Sequence, residues 1–340
     1  RLLIVLHSVG SYPVDFLRID QIAEQLPERS YIVTDKNVER LYGDRFEGFP
    51  RFAIEPGESS KGLDTFGQVV GWLAEAGANR KSTVVALGGG VVGDLAGFVA
   101  ASYMRGVRFV QVPTTLLAQV DSSVGGKVGV DLPQGKNLVG AFAPPEFVYV
   151  PTDALKTLTE REFRSGMAEV VKYGLIMDPN LASVLSRAAL TLEEMQPIVE
   201  ACIRHKANVV AEDEYETKGL RAILNFGHTV GHAIEQAAGY GTLLHGEAIA
   251  VGMRVEAELG EAIGVTPKGT ASEVVACLEN QGLQTRLERR LDKEMLLRAM
   301  RKDKKATDGG LPFSLLTSIG SCKLYTDVAE EAVLPLLDDL

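Results

Sequence analysis

Residues 83–94 read Thr-Val-Val-Ala-Leu-Gly-Gly-Gly-Val-Val-Gly-Asp, a short apolar run that leads directly into glycines. The run Thr83–Leu87 is rich in β-branched residues and predicts a buried strand. Glycines between a strand and a helix let backbone N–H groups approach a phosphate, and the helix dipole favours the anion. Gly88, Gly90 and Gly93 also match the dinucleotide-binding spacing G-x-G-x-x-G. That spacing is common in glycine-rich sequence, so a tight turn without a ligand is the alternative.

The sequence around this turn alternates between strand-like and helix-like patterns. Short runs rich in Val, Ile, Phe or Tyr occur at Tyr31–Thr34, Phe52–Ile54, Thr83–Leu87, Arg108–Val112 and Phe147–Val150. Helix-like stretches such as Leu63–Ala76 lie between them. This alternation is typical of a mainly parallel sheet that is covered on both faces. We therefore expect a Rossmann-like α/β domain over residues 1–150.

The second half of the chain has a different pattern, with apolar residues at helical spacing. The predicted helices are Glu160–Met177, Leu192–Glu212, Thr229–Ala238, Glu247–Ile263 and Ser272–Gln281. Phe313–Thr317 and Lys323–Tyr325 flank Gly320 and predict a small hairpin. We therefore expect a mostly α-helical domain over residues 151–340, with the active site in the cleft between the two domains.

Charge and hydropathy exclude several classes of partner. The chain has 340 residues and a formal net charge of −10, which argues against nucleic acid and anionic membranes as partners. No apolar run reaches the roughly 18–20 residues that span a bilayer. The opening run Leu2–Leu6 predicts a short strand and lacks the features of a signal peptide, so we expect a cytoplasmic protein. Cys202, Cys277 and Cys322 form no C-x-x-C motif and are expected to be buried, reduced thiols.

A second turn follows the strand predicted at Arg108–Val112. In the turn Pro113–Leu117, the hydroxyl groups of Thr114 and Thr115 can bind a ribose or a phosphate, or can cap the next helix. The stretch Gln119–Lys127 superficially resembles a P-loop. However, an aspartate stands at its first glycine position and a valine follows the lysine, which argues against an NTPase.

The histidines are concentrated in one part of the chain. His228 and His232 are four residues apart and share one helix face, and His245 follows closely. These histidines could form a metal site, or they could be core residues whose hydrogen bonds are satisfied within the protein. A catalytic zinc ion typically has three protein ligands, and Glu169 is a candidate because it lies in an otherwise apolar helix. Lys172 faces the same way three residues later, where a surface ion pair with Glu169 is the alternative role.

Several blocks of sequence, taken in order and spacing, resemble the 3-dehydroquinate synthase family of sugar-phosphate cyclases. The blocks are Gly88–Asp94, Pro113–Lys127, Lys136–Asn137, Glu169–Tyr173, Leu224–Glu235, His245–Glu247 and Asp303–Lys305. The resemblance covers roughly residues 30 to 325. One departure is a spacing between Lys206 and Arg221 that is one residue longer than the family pattern, around Asp213–Lys218.

The resemblance implies NAD, a divalent metal ion (zinc or cobalt) and specific residues for each. The implied metal ligands are Glu169, His228 and His245, so that His232 faces the substrate instead of the metal. The implied NAD-binding residues are Asp35, Glu58, Lys61, Gly89, Gly90, Val91, Asp94, Thr114, Thr115, Leu117, Asp121, Lys136 and Thr157. The implied substrate residues are Lys127, Asn137, Lys172, Lys206, Arg221, Asn225, His232 and the Lys304/Lys305 pair. Arg105 resembles an arginine that reaches the phosphate site of a neighbouring subunit, which implies a homodimer.

The implied activity is a lyase reaction of the shikimate pathway, which leads to chorismate and the aromatic amino acids. The implied substrate, 3-deoxy-D-arabino-heptulosonate 7-phosphate, is converted to 3-dehydroquinate and phosphate. The steps are transient oxidation by NAD, phosphate elimination, reduction, ring opening and intramolecular aldol closure. The substrate carries a carboxylate and a phosphate, which explains the basic residues assigned to the site of an acidic protein.

Three alternatives remain open on the sequence. The first is a related cyclase that acts on another sugar phosphate, although Lys206 and Arg221 would then have no substrate carboxylate to pair with. The second is a metal- and NAD-dependent polyol dehydrogenase, which would produce net NADH. The third is a non-catalytic binding protein, which would not need an intact metal-ligand set.

Overall fold

The computed structural model describes residues 2–7, 10–303 and 310–340. The chain forms two compact units, Arg1–Thr159 with Met195–Ala211 and Glu160–Glu194 with Glu212–Leu340. The prediction from sequence placed all residues after 150 in the second domain. The structure instead groups residues 195–211 with the first unit, where Lys206 of this segment forms an ion pair with Asp121. Among the described residues, no helix combines the length and the apolar character that a membrane crossing requires.

The strands of the described residues include each of those predicted from the sequence. They are β1 (Leu3–Val5), β2 (Tyr12–Phe16), β3 (Ser30–Asp35), β4 (Arg51–Ile54), β5 (Thr83–Gly88), β6 (Arg108–Pro113), β7 (Lys127–Leu132), β8 (Gly135–Phe142), β9 (Phe147–Val150), β10 (Leu311–Ser318) and β11 (Ser321–Val328). The predicted C-terminal hairpin is confirmed as β10 and β11. A second hairpin, β7 with β8, was not predicted.

Each helix predicted from the sequence is present to within a few residues. The helices of the described residues are α1 (Lys36–Tyr42), α2 (Leu63–Glu75), α3 (Gly90–Ser102), α4 (Glu160–Met177), α5 (Pro179–Leu185), α6 (Met195–Glu212), α7 (His228–Ala238), α8 (His245–Ala262), α9 (Thr270–Asn280), α10 (Lys293–Asp303) and α11 (Glu330–Val333). Four helices of the described residues were not predicted, α1, α5, α10 and α11. One turn of π-helix covers Ala118–Ser122.

The first unit is built on a sheet with the strand order β1-β2-β9-β6-β5-β3-β4. Only β1 and β2 pair antiparallel, and every other neighbouring pair is parallel. Because parallel strands run in one direction, β3, β5 and β6 all end at the same edge of the sheet. Apolar clusters on both faces bury the sheet, with α2 and α3 contributing to one and α1 to the other.

The second unit is mostly helical. Helices α7, α8 and α10 pack with the β10–β11 hairpin around one apolar core, which includes Val251, Met300 and Phe313. Helix α4 is enclosed, because every residue from Ser165 to Ile176 is buried. A helix that is buried on all sides must satisfy any charge it carries internally, and α4 carries both Glu169 and Lys172.

Candidate metal and cofactor sites

Helix α4 carries a fully buried carboxylate, that of Glu169. One of its oxygens, Oε1, lies 3.0 Å from His228 Nε2 and 2.9 Å from His245 Nε2. The other, Oε2, lies 2.5 Å from Lys172 Nζ but has no partner in hydrogen-bond geometry. The structure therefore confirms that Glu169, His228 and His245 come together, and it replaces the surface ion pair considered for Lys172 with a buried one.

The donor set of this cluster fits a divalent transition-metal ion. The possible ligand atoms of Glu169, His228 and His245 lie within 4.8 Å of one another. One carboxylate and two imidazole nitrogens form a common three-ligand set for catalytic zinc, and cobalt accepts the same donors. The buried Glu169 Oε2 makes no hydrogen bond, and its contact with Lys172 Nζ is an ion pair only, so the hydrogen-bonding capacity of this oxygen is left unused.

The charge state of the cluster follows from its burial and from its partners. Burial alone would raise the pKa of Glu169, but Lys172 and the two histidines hold that pKa well below its usual range. Burial lowers the pKa of His228 to about 4, so this ring is neutral and able to act as a ligand. Burial also opposes the charged form of His245, but hydrogen bonds to Glu169 and Glu235 raise its pKa to about 10. Without a metal ion this ring is therefore protonated, and a bound ion would replace the proton on Nε2.

Each of the two histidine rings is oriented through its second nitrogen. His228 Nδ1 lies 3.0 Å from the carbonyl oxygen of Phe226, and His245 Nδ1 lies 3.3 Å from Glu235 Oε2. When Nδ1 donates a proton to such a partner, Nε2 is left with a lone pair for a metal ion. Glu235 was not assigned a role from the sequence, although it is three residues after His232 on α7.

His232 lies next to the two other histidines. The ring centroids of His232 and His228 are 5.3 Å apart, and those of His232 and His245 are 6.0 Å apart. His232, Glu235 and His245 form a second group whose ligand atoms lie within 4.8 Å of one another. The two groups share His245, and its Nε2 faces Glu169. We therefore favour the group that contains the fully buried Glu169 as the metal site.

A second buried carboxylate, Glu256 of α8, holds the start of α7. Its oxygens accept hydrogen bonds from the backbone N–H groups of Gly227 at 2.6 Å and Val230 at 3.0 Å. A carboxylate at this position satisfies free amides of a helix N-terminus and is favoured by the helix dipole. The same helices touch closely, since a Cβ on Gly252 would lie 2.1 Å from the Gly227 carbonyl oxygen. These contacts fix the position of His228, the first residue of α7.

In the first unit, candidate NAD-binding residues follow the ends of three neighbouring strands. Asp35 ends β3 and accepts a hydrogen bond from Val38 N at the start of α1, and Thr114 and Thr115 follow β6. The glycine turn follows β5, where a Cβ on Gly89 would lie 3.0 Å from Thr115 Cγ2. The first turn of α3, which includes Gly90 and Val91, carries no acidic side chain. Free backbone N–H groups at such an edge fit the pyrophosphate of a dinucleotide.

A cluster of lysines and carboxylates adjoins this turn. Lys61 Nζ is buried and lies 2.9 Å from Asp94, 3.6 Å from Glu58 and 3.9 Å from Asp131. Lys136 Nζ lies 3.6 Å from Glu58. Burial opposes the ammonium form of Lys61, but Asp94 and Glu58 raise its pKa above the usual value. The structure therefore brings together Glu58, Lys61, Asp94 and Lys136, four of the residues assigned to NAD.

The remaining NAD candidates lie in separate places of the first unit. Asp121, within the π-helical turn, accepts a hydrogen bond from Lys206 Nζ at 2.6 Å. Leu117 immediately precedes that turn. The Thr157 hydroxyl lies 2.6 Å from that of Tyr42. Lys206 is thus tied to the cofactor candidate Asp121, a contact that sequence reasoning did not anticipate.

The longer loop before Arg221 is organised by Asp213. The carboxylate of Asp213 accepts hydrogen bonds from Lys218 N at 2.9 Å and Arg221 N at 3.2 Å. The hydrogen bond from the backbone N–H of Lys218, and to a smaller extent that from Arg221, lowers the pKa of Asp213. The Arg221 side chain is buried, donates to the Glu214 carbonyl oxygen at 2.7 Å, and lies 3.4 Å from Glu216. This loop therefore places a carboxylate oxygen and a carbonyl oxygen around the guanidinium group of Arg221.

The other substrate candidates are dispersed. Lys127 begins β7 and is exposed, Asn137 lies in β8, and Asn225 ends a short helical turn just before α7. Arg105 is exposed in the turn between α3 and β6, where its φ is +65°. This turn lies at the opposite edge of the sheet from the glycine turn, since it precedes a parallel strand. Lys304 and Lys305 lie outside the described residues.

Two family models match the chain, that of the 3-dehydroquinate synthase N-terminal region over residues 51–165 and that of the C-terminal region over residues 166–306. The chain belongs to the 3-dehydroquinate synthase family. It is 50% identical over 283 residues to the 3-dehydroquinate synthase of Pelobacter propionicus, across 82% of this chain and 78% of that protein. Its identity to the enzyme of Opitutus terrae is 44% over 337 residues, across 94% and 93% of the two chains. For Desulforamulus reducens it is 43% over 350 residues, across 98% and 94%.

Several solved structures that resemble this chain belong to enzymes with other activities in their names. A 2-deoxy-scyllo-inosose synthase in complex with carbaglucose-6-phosphate, NAD⁺ and Co²⁺ has a TM-score of 0.88 at 27% identity, over 100% of both chains. The 2-epi-5-epi-valiolone synthase of Streptomyces hygroscopicus with NAD⁺ and Zn²⁺ bound has a TM-score of 0.88 at 27% identity, over 98% of both. A probable glycerol dehydrogenase from Sinorhizobium meliloti shares the fold, with a TM-score of 0.61 at 16% identity over 96% of both. The expected fold class is confirmed.

Proposed function

We propose that the protein catalyses the 3-dehydroquinate synthase reaction, which converts 3-deoxy-D-arabino-heptulosonate 7-phosphate to 3-dehydroquinate and phosphate. The observation that carries this proposal is the buried cluster of Glu169, Lys172, His228 and His245 in a chain that is 43% identical to a 3-dehydroquinate synthase over nearly its full length. The product enters the synthesis of aromatic amino acids. We propose NAD and a divalent zinc or cobalt ion as the cofactors.

Glu169, His228 and His245 would hold the metal ion. When bound, such an ion polarises a substrate oxygen and lowers the pKa of the attached hydroxyl group. Lys172 forms an ion pair with Glu169 and supplies a cation at the same place. Glu256 and the carbonyl of Phe226 keep the His228 ring in position, so that little rearrangement is needed when a ligand arrives.

The strand edge of the first unit would hold NAD, with the glycine turn and the first turn of α3 against its phosphates. When bound, NAD⁺ accepts a hydride from the substrate and returns it later, so that no net oxidation results. Asp35, Thr114 and Thr115 supply polar groups at neighbouring strand ends. Lys61 and Lys136 supply positive charge at the same edge, and Lys61 is held in place by Asp94.

The substrate carries two anionic groups, which basic residues of the chain would bind. Arg221 suits the carboxylate, because a guanidinium group can make two parallel hydrogen bonds to it. Lys127, Lys172, Lys206 and one of Lys304 and Lys305 supply further positive charge, and Asn137 and Asn225 supply neutral donors. We propose His232 as the group that moves a proton at the reacting oxygen, because its ring lies 5.3 Å from that of His228 and an imidazole can both donate and accept a proton.

We also propose that the protein acts as a homodimer. The position of Arg105 supports this proposal. Its turn lies at the sheet edge away from the glycine turn, and an exposed arginine there is suited to an anion on another molecule. Met104 and Arg105 both have left-handed backbone angles and are followed by Gly106. Such a conformation is uncommon for these residue types and often marks a functional turn.

The test is phosphate release from the heptulosonate phosphate, with NADH absorbance followed in parallel before and after chelation. We expect phosphate release that requires NAD⁺ and metal, without net accumulation of NADH. Release from glucose 6-phosphate or sedoheptulose 7-phosphate alone would indicate a related cyclase. Net NADH production from a polyol would indicate a dehydrogenase, and either result would overturn the proposal.

A further inference from the structure

The β7–β8 hairpin contains an irregularity at the residues assigned to cofactor and substrate. Val130 pairs with Val139, and Leu132 pairs with Gly135. Asp131 on one strand therefore faces three residues on the other, Lys136, Asn137 and Leu138. Bulges of this kind bend a strand, re-aim its side chains and are common near active sites.

The centre of this bulge has a backbone conformation that needs support. Asn137 has a φ of +55°, in the left-handed region. Asparagine tolerates this region better than most residues, but the conformation still has to be held by its surroundings. The support is a hydrogen bond of 2.7 Å from the backbone N–H of Asn137 to Asp131 Oδ1.

Asp131 is also joined to the cluster around Lys61. Its backbone N–H donates to the Lys61 carbonyl oxygen at 2.8 Å, and its Oδ1 lies 3.9 Å from Lys61 Nζ. The Lys61 ammonium has a closer partner in Asp94 at 2.9 Å. The side chain of Asp131 is therefore only a distant partner of Lys61. It also meets the carboxyl group of Glu58, and it accepts a short hydrogen bond from the Asn137 backbone.

From this geometry we infer that Asp131 is a positioning residue, whose carboxylate oxygen holds the Lys136–Asn137 bulge in the conformation that presents Asn137 to substrate. The inference rests on the proposed function, because that proposal assigns Asn137 to the substrate. Hydrogen-bond acceptance, rather than charge, is the property that the position requires. An asparagine at 131 keeps an acceptor oxygen, whereas an alanine removes it.

The experiment compares Asp131→Asn and Asp131→Ala with the wild-type enzyme and with Gln134→Ala, a control at the exposed tip of the same hairpin. The first measurement is hydrogen exchange at the amides of residues 136–138. We expect Asp131→Ala to speed exchange at Asn137 by about tenfold or more, while Asp131→Asn stays close to wild type. This readout does not depend on activity, so it remains informative if the proposed substrate is wrong.

The second measurement is kinetic. Loss of a hydrogen bond to a charged group typically changes an equilibrium or rate constant by about 10- to 100-fold. We therefore expect kcat/KM for the heptulosonate phosphate to fall by that factor in Asp131→Ala. It should stay within about threefold in Asp131→Asn, and the dissociation constant of NAD should stay within about threefold in both variants. A fall in kcat/KM with an unchanged dissociation constant of NAD would indicate that Asp131 positions Asn137. A general loss of structure would weaken both.

Three outcomes would overturn the inference. Unchanged exchange at Asn137 in Asp131→Ala would show that the hydrogen bond does not hold the bulge. Equal losses in both variants would show that charge is the required property. A weakened affinity for NAD with normal kinetics for the sugar phosphate would assign Asp131 to the cofactor cluster instead. If the wild type releases no phosphate while the exchange result holds, the proposed function fails and the structural part of the inference stands.

Discussion

The Nδ1 atom of His245 lies 3.3 Å from Glu235 Oε2, on the opposite side of the ring from the Nε2 atom that faces Glu169. One imidazole ring therefore connects two carboxylates. A proton on Nδ1 is held by Glu235, which leaves Nε2 as the nitrogen that can bind a metal ion. This contact explains why His245, at the first residue of α8, can be a well-oriented ligand although it is partly exposed.

Replacing Glu235 should weaken metal binding without removing any ligand. Loss of such an orienting partner typically reduces metal affinity by about 10- to 100-fold, and we expect this for Glu235→Ala. Glu235→Gln should have a smaller effect, since its carbonyl oxygen still accepts a hydrogen bond. Competition with a chelator measures the affinity, and Gln236→Ala, at an exposed neighbouring position, is the control. Equal affinities in all variants would contradict the role of Glu235.

His245→Ala and His232→Ala should separate the two possible metal groups. We expect His245→Ala to lose bound metal. His232→Ala should keep the metal and lose turnover, because Glu169, His228 and His245 remain in place. Metal content by elemental analysis, combined with phosphate release, distinguishes the two. Loss of metal from His232→Ala would mean that the ion lies in the group with Glu235.

Lys172→Met should reduce turnover by more than about 100-fold and destabilise the metal-free protein. Methionine has a similar length, so the main change is the loss of a buried ammonium group next to Glu169. Removal of one partner from a buried ion pair typically costs about 3–5 kcal/mol. The cost should be smaller with metal bound, since the cation then compensates Glu169. Urea unfolding with and without chelator measures the difference, and an equal cost in both states would contradict this account.

The cysteines should be unreactive near neutral pH. Burial raises the pKa of Cys277 to about 11 and that of Cys322 to about 12, so both remain protonated thiols at pH 8. As the pH rises above about 9, the unfolded chain ionises these thiols first, so their contribution to stability is lost as the pH passes their folded pKa. Iodoacetamide labelling should therefore be slow at pH 8 in the folded protein and fast in urea. Rapid labelling of the folded protein would contradict this expectation.

The sequence contained enough local information to predict the regular elements. Strands such as β5 have uninterrupted β-branched residues, and α4 and α8 have clear helical periodicity. Burial pattern and spacing made Glu169, His228, His232 and His245 all candidate metal ligands, and only the family resemblance removed His232 from that set. Spacing along one helix reports which residues share a face, whereas the ligand set depends on how α4, α7 and α8 pack against one another.

The structure adds residues that no local pattern could reveal. Glu235, Glu256 and Asp131 act through partners distant in sequence or through a bulge in a hairpin that was not predicted. The one available signal was an acidic residue between apolar neighbours, as for Glu256 between Val255 and Ala257. Such a residue is costly unless it is paired, but the sequence does not identify the pair. Only the structure identifies the backbone amides at the start of α7 as the partners of Glu256.

The close contact between Gly227 and Gly252 has a consequence for how this enzyme can diverge. Since even a methyl group at position 252 would overlap the backbone carbonyl of Gly227, a side chain there would push α7 and α8 apart, and no side-chain change at position 227 would relieve the overlap. Helices α7 and α8 carry His228 and His245, so a substitution at Gly252 would also change the spacing between these two histidines. Substrate preference can change more easily at residues outside these helices that are proposed to bind the substrate anions, such as Lys127 and Arg221.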